Sequence, residues 1–322
     1  MGTLKVGFVF PGQGSQVVGM GLELAQQYAE ARQVFETADA VLGGSFSALC
    51  WKGPEAELQQ TANTQPAIVT ASVACLRVFE RCGVHAELVA GHSVGEYAAL
   101  VAGGALSLDA AVGLTRLRGQ LMESSCPGGT GSMAAVMGLD EETVRGICRE
   151  VAGAGVAEVA GLNCPGQVVL AGHVQALSEA LAVAKSRGAS QATMLRVSGP
   201  FHSSLMAPAA EGLARELGKA PLGRPRVPVV CNADAQGHVE PVRLRENLVA
   251  QLTRPVLWQK SIELMLGQGV NVFVEFGAGR VLSGLMRRIR RDAQMLNVAD
   301  RGSLDKTLGF FRAEGLAKAA AI

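Results

Sequence analysis

Two hydrophobic rhythms divide the chain. Residues 6–10 (Val6-Gly7-Phe8-Val9-Phe10), 88–90, 227–231 and 270–276 are largely apolar. Short runs of this kind predict strands buried on both faces, as in a parallel sheet. Between them lie longer stretches that predict helices over 21–42, 55–82, 107–125, 205–217, 244–252 and 258–266. Gln65-Pro66 precedes an apolar run, 67–79, and proline is comfortable at a helix start. Ser107 is placed to cap the helix it precedes. Gly277-Ala278-Gly279-Arg280 opens one more helix, and segments 294–298 and 303–311 finish the pattern. Strands alternating with helices predict an α/β fold.

Residues 128–198 keep a rhythm of their own. A glycine-rich linker, Cys126-Pro127-Gly128-Gly129-Thr130-Gly131, leads into a strand at 132–137. A helix at 140–154, strands at 156–161 and 167–171, a helix at 173–188 and a strand at 192–197 follow. The order is βαββαβ, the ferredoxin-like unit. The chain therefore divides into a large domain, 1–127 with 199–322, and a small inserted domain, 128–198. The cleft between them is the natural ligand site.

The most informative stretch is Val89-Ala90-Gly91-His92-Ser93-Val94-Gly95-Glu96. A buried strand runs into the helix formers Glu96-Tyr97-Ala98-Ala99-Leu100 with no loop between. Glycines two before and two after the apex relieve such a bend, and the apex side chain is pushed outward. Here the apex is Ser93, at a helix N-terminus where backbone N–H groups can hold an oxyanion. A chain with 40 glycines will produce Gly-x-Ser-x-Gly by accident, but not preferentially at a strand-to-helix junction. A second donor is expected from a loop after an early strand. Val94 and Gln13, in Pro11-Gly12-Gln13-Gly14, are the candidates. The same loop is a poor phosphate cradle, since Val17 occupies the third glycine position and no Gly-Lys-Ser/Thr follows.

In the helix at 107–125, Asp109, Gly113, Arg116, Gln120 and Glu123 form one polar stripe. Arg118 lies about 200° round from Arg116 and points inward, alongside Ala111, Leu114, Thr115 and Met122. A buried arginine needs an anion. A structural Arg–carboxylate pair and a clamp for a substrate carboxylate are both consistent with the helix alone. Among the five histidines, His85 sits in a polar turn, His238 in a glycine-rich surface loop, and His173 opens a helix. His92 neighbours Ser93, but adjacent side chains diverge on a sharp elbow. His202, after Gly199-Pro200-Phe201, is the candidate base by elimination, with a structural histidine as the alternative.

Bulk properties narrow the classes. A net charge of +1 over 322 residues argues against general nucleic-acid binding. No run reaches the ~18 apolar residues of a membrane span, and the N-terminus lacks a signal-peptide layout. Val6 stands where a myristoylation motif has Ser or Thr. Seven scattered cysteines fit buried thiols in a reducing cytosol better than disulfides or zinc. Arg287, Arg288, Arg290 and Arg291 form a basic cluster that is either a solvated face or a receiver for an acidic partner.

Taken together, Phe8-Val9-Phe10-Pro11-Gly12-Gln13-Gly14-Ser15-Gln16, Gly91-His92-Ser93-Val94-Gly95-Glu96-Tyr97, Thr115-Arg116-Leu117-Arg118-Gly119, Asn163 with Pro165-Gly166-Gln167, Gly199-Pro200-Phe201-His202, and Gln251-Leu252 with Pro255 and Trp258 resemble the malonyl-CoA:acyl carrier protein transacylase family of bacterial fatty-acid synthesis. The resemblance runs from residue 5 to about 310. It implies an α/β-hydrolase-like large domain with a parallel sheet and a ferredoxin-like insert. It implies Ser93 as nucleophile, His202 as base and acid, and the Gln251 backbone carbonyl in place of a triad acid. Gln13 and Val94 would form the oxyanion hole, Arg118 would hold the malonyl carboxylate, and Asn163, His92, Met122 and Phe201 would support or shape the site. Family elbows often carry Leu where this chain has Val94; only the backbone is used there. Malonyl-CoA would be the substrate and no metal or other cofactor is implied. Acyl carrier protein would be the partner, with Arg287 and Arg288 as its landing point, and the chain would act as a cytoplasmic monomer. The rivals are a trans-acting acyltransferase of polyketide synthesis, a serine thioesterase or hydrolase, and a catalytically dead carrier-binding scaffold. Hydrolases of this fold place an Asp/Glu between serine and a late histidine; His202 is mid-chain.

Overall fold

The structure, a computed structural model, describes residues 4–126 and 128–317. Residues 1–3 of the N-terminal reading, Pro127 of the linker and domain boundary, and the alanine-rich 318–322 lie outside the described residues. The described strands are β1 (Val6–Phe10), β2 (Leu88–Gly91), β3 (Gly131–Met137), β4 (Ala157–Cys164), β5 (Gln167–His173), β6 (Gln191–Met194), β7 (Val229–Val230), β8 (Gly237–His238), β9 (Val272–Phe276) and β10 (Gln294–Val298).

They form two sheets. One has six strands in the order β10-β9-β1-β2-β7-β8. All its pairs are parallel except the edge pair β7–β8. β1 and β9 are buried at every position, as strands covered on both faces must be. Phe8, Phe79, Phe276 and Phe311 meet edge to face against the sheet. Glu275, in the middle of β9, is tolerated because its carboxylate accepts the Leu282 and Ser283 N–H groups at the start of helix Val281–Ile289.

The second sheet has four antiparallel strands in the order β4-β5-β3-β6. Helices Glu141–Glu150 and Val174–Ser186 pack against it around a separate apolar cluster that includes Val136, Ile147, Leu170 and Leu177. The order of elements is the βαββαβ expected. The sheet leans on the rest of the chain through a bridge from Gly161 to Val256, with Leu162 N–H donating to Val256 O and Val256 N–H to Ala160 O.

Several local expectations need correction. The helix expected over 21–42 is two, Leu22–Gln27 and Ala29–Leu42, broken where Tyr28 turns extended. The Tyr28 ring carries the Arg301 guanidinium over its face, a tertiary contact invisible locally. Residues 55–82 also divide, into Glu55–Leu58 and Thr61–Glu80. The second helix begins five residues before Pro66, which therefore lies inside it. Thr64 Oγ1 to Leu58 O and Asn63 Nδ2 to Glu57 O tie down that early start. Ser107 occupies the cap position of helix Leu108–Ser124 but makes no capping hydrogen bond. The strand expected at 227–231 shortens to β7, β6 stops at Met194, and a 3-10 turn, Ser204–Met206, precedes helix Ala207–Lys219.

Candidate active site

β1 and β2 end together, with Phe10 in register with Gly91. At that edge the chain passes from β2 into helix Gly95–Gly103 through His92, Ser93 and Val94. A Cβ on Gly91 would fall 1.9 Å from the Gly95 carbonyl carbon, and one on Gly95 would fall 2.3 Å from Phe10 O. Only glycine fits either place, and Ser93 between them is held at φ 51, in the left-handed region. Asn232, directly after the short strand β7 and Cys231, secures the bend. Its Oδ1 accepts the Ser93 backbone N–H at 2.6 Å, and its Nδ2 donates to Gly91 O at 2.7 Å.

Ser93 Oγ lies 2.7 Å from His202 Nε2, and His202 Nδ1 lies 2.7 Å from the Gln251 backbone oxygen. A carbonyl oxygen only accepts, so the ring proton sits on Nδ1. Nε2 is then the bare acceptor of the serine hydroxyl. His202 is itself at φ 62, in the turn after Gly199-Pro200. Burial, reinforced by the Arg118 cation, lowers its imidazole to about 3. The ring is neutral at pH 7, the state in which it can take a proton.

Arg118 is 1% exposed, inward on its helix as the periodicity predicts. Nη1 donates to Gln65 Oε1 at 2.7 Å; Nη2 donates to Gln251 Oε1 at 2.8 Å and to Ser93 Oγ at 3.2 Å. All three acceptors are neutral, and Nε is buried without a partner. The hydrogen-bonded Arg–carboxylate pair that the helix left open is not formed; the Glu96 carboxylate acts on the guanidinium through space.

Ser93, His202 and Arg118 open into one cavity of about 170 Å³. Gln13, His92, Val94, Met122, Asn163 and Phe201 also line it, and Met133, Val169, Leu195 and Val197 close it from the second-sheet side. A polar groove of about 620 Å³ shares Gln13 and Val197 with it and leads outward past Gln16, Gln59 and Arg196. His92 diverges from the hydroxyl, as the elbow predicts, and bonds Asn163 Oδ1 at 2.9 Å. Gln13 anchors its side chain on Thr61 Oγ1 at 3.1 Å, and the Met122 sulfur accepts from Gln65 Nε2 at 3.3 Å. Of the other histidines, His238 pairs with Asp234 and His173 Nδ1 accepts the Val156 N–H. Arg287 and Arg288 lie outside the cavity on an exposed helix end, and Arg288 reaches Gln167 Oε1 and Pro165 O.

Three residues of the site were not singled out in the sequence: Gln65, Glu96 and Asn232. For Gln251 only the backbone was expected, yet its side chain also holds Arg118. Signals existed. Asn232 is a polar residue just past the carboxyl end of a buried parallel strand, where ligand sites form. Glu96 is an acid in an otherwise apolar helix, a buried charge by pattern. Among the described residues, no group of His, Cys, Asp and Glu could hold a metal ion, and no helix is long and apolar enough to cross a membrane.

A hydroxyl on a neutral imidazole, at a sheet edge and beside a buried cation, is an arrangement suited to nucleophilic acyl transfer. The comparisons narrow it. Residues 7–309 match the acyl transferase domain family. The malonyl CoA-acyl carrier protein transacylase of Bacillus subtilis is 41% identical over 96% of this chain and 98% of its own length. That of Escherichia coli K12 is 47% identical over 88% and 92%. Among solved structures, the acyl-carrier-protein S-malonyltransferase of Bartonella henselae superposes with a TM-score of 0.93 at 41% identity, covering 97% of this chain and 100% of that one. A malonyl-transacylase solved in complex with a type II polyketide acyl-carrier protein gives a TM-score of 0.93 at 42% identity, covering 95% and 99%. The chain belongs to the acyl transferase domain family, in its malonyl CoA-acyl carrier protein transacylase branch.

Proposed function

We propose that the protein transfers a malonyl group from malonyl-CoA to the phosphopantetheine thiol of acyl carrier protein, in fatty-acid synthesis, through a malonyl-serine ester. The observation that carries this reading is Arg118: a buried guanidinium with only neutral partners, an unpartnered Nε, and one nitrogen 3.2 Å from the Ser93 hydroxyl. A short diacid spans that distance, its thioester on the serine and its free carboxylate on the arginine.

In the first half-reaction His202 Nε2 takes the Ser93 proton as Oγ attacks the thioester carbonyl. The backbone N–H groups of Gln13 and Val94 receive the developing oxyanion. The tetrahedral intermediate collapses, the C–S bond breaks, and His202 returns the proton to the departing CoA thiolate. In the second half the carrier thiol gives its proton to His202 and attacks the ester, and Ser93 leaves with that proton restored. The Gln251 carbonyl holds the ring tautomer throughout, in place of a triad carboxylate. Arg118 selects an acid-tailed acyl group and holds the ester in one pose. Asn163, through His92, and Met122, through Gln65, support the two sides; Phe201 fills space an α-branch would need.

We assign 1–127 with 199–322 to a catalytic domain and 128–198 to a small domain; the two separate sheets and apolar clusters support that division. Arg287 and Arg288 are proposed to receive the acidic carrier; in support, both are exposed at a helix C-terminus beside the β4–β5 hairpin. The protein is proposed to act in the cytoplasm as a monomer, without a metal or other cofactor.

The test is intact mass after mixing with malonyl-CoA alone, then with pantetheinylated carrier protein. A malonyl adduct on Ser93 that persists until the carrier discharges it is the expected result. Immediate release of free malonate, with no adduct, would make the protein a hydrolase.

A further inference from the structure

One buried carboxylate stands behind the site without touching the reacting groups. Glu96 is 1% exposed in the first turn of helix Gly95–Gly103. Its Oε2 accepts two hydrogen bonds, from the Asn232 backbone N–H at 2.9 Å and from Gln251 Nε2 at 2.9 Å. Those two residues hold everything else. Asn232 grips the Ser93 N–H and Gly91 O with its side chain. Gln251 presents its backbone oxygen to His202 Nδ1 and its Oε1 to Arg118 Nη2. Nucleophile, base and cation are each one residue removed from Glu96.

The consequence concerns which way round an amide sits. A glutamine side chain carries donors on one end and an acceptor on the other, and the two ends are nearly equal in shape. Reversed, Gln251 would turn its NH₂ toward the Arg118 guanidinium, donor against donor. Its NH₂ is instead drawn to acceptors, Glu96 Oε2 and the Ser93 carbonyl at 3.1 Å, and Glu96 is the nearer and the only one that can be charged. With that end fixed, Oε1 must face Arg118. Burial raises the Glu96 carboxyl to about 7.

We infer that Glu96 is a positioning residue for the reaction, setting the Gln251 amide so that its Oε1 faces Arg118. It does for the cation, through an intervening amide, what a triad carboxylate does for a histidine by direct contact. This rests on the roles proposed above for Ser93, His202 and Arg118.

Two substitutions separate the acceptor from mere bulk. Glu96→Gln keeps an oxygen where Oε2 stands; Glu96→Leu keeps most of the volume and removes it. The readout is the rate of Ser93 acylation, by quenched-flow mass spectrometry, from malonyl-CoA and from acetyl-CoA. For Glu96→Leu the malonyl rate is expected to fall about 10- to 100-fold, the value of a hydrogen bond to a charged group. The acetyl rate falls less, because Asn232 and the Gln251 backbone still hold serine and base while Arg118 has lost its oriented acceptor. Glu96→Gln recovers most of the malonyl loss. A Leu variant with the wild-type malonyl rate, or with equal losses for both acyl groups, overturns the inference. Gln251→Met repeats the test should Glu96→Leu fail to fold, because it retains the backbone carbonyl and removes only the amide. A malonyl-selective loss there supports the inference and an equal loss overturns it. Wild-type protein that takes no malonyl on Ser93 contradicts the functional reading instead, before any variant is compared.

Discussion

The two sheets face the same cavity with opposite kinds of surface. The parallel sheet and its helices bring Ser93, His202, Arg118, Gln251 and Asn232, a buried polar network in which almost every atom is matched. The antiparallel side brings Met133, Val169, Leu195 and Val197, an apolar wall whose one polar contribution, Asn163, acts on His92. Polar networks in a low-dielectric interior are sensitive to the loss of any member, because each deletion strands a partner. Apolar walls yield gradually, by volume. Changes on the parallel-sheet side are therefore expected to act steeply, and changes in the antiparallel wall gradually.

The sharpest break in that division is Ser93→Ala. It removes the hydroxyl proposed to carry the acyl group, and transfer is expected to fall by at least about 10⁴-fold with no adduct by intact mass. Retained transfer would end the assignment. Next is Asn232→Ala, which strands the Ser93 N–H and Gly91 O in a dry interior. About 2–4 kcal/mol of stability should be lost in urea unfolding, with a drop in acylation for both acyl groups. A variant as stable as wild type would mean the elbow holds itself.

How much of this was legible depends on range. The elbow was readable because glycine spacing and a strand-to-helix change are local. Arg118 was readable as inward because helical periodicity is local, although whether it met a carboxylate or a substrate was not. The insert was readable because six elements in a fixed order are a pattern in themselves. Asn232 and Gln65 were missed because their importance lies in partners 139 and 53 residues away. Tyr28 interrupts a helix and meets Arg301, and Pro66 sits inside a helix whose start is tied down by Asn63 and Thr64; neither is visible in a window of neighbours.

A pH profile sharpens the account of the polar side. His202 is lowered from 6.5 to about 3 by burial and by Arg118, so its neutral, basic form persists well into acid. Acylation by the free enzyme should hold through pH 6.5, and a limb centred there would contradict the buried geometry. The stability sign is opposite to that of a paired histidine. As pH falls from 6.5 toward 3 the unfolded chain takes up a proton that the folded chain refuses, so this residue destabilises the fold progressively across that window. Removing the Arg118 cation should move the imidazole upward.

The smallest effect belongs to the insert. Leu195→Ala enlarges the apolar wall without touching the network. Malonyl transfer should fall by no more than about threefold, while bulkier acyl groups gain by a similar factor. A loss as deep as that of Asn232→Ala would erase the distinction between the two sides.

The central claim is that a buried, neutrally partnered guanidinium beside the nucleophile captures the acid tail of the acyl group. It is tested most directly by acyl-enzyme formation from malonyl-CoA and acetyl-CoA in wild type and Arg118→Ala. Malonyl acylation should fall at least about 100-fold further than acetyl acylation, the worth of a charge-assisted, desolvated pair. Equal losses, or a malonyl preference that survives without the arginine, would contradict it.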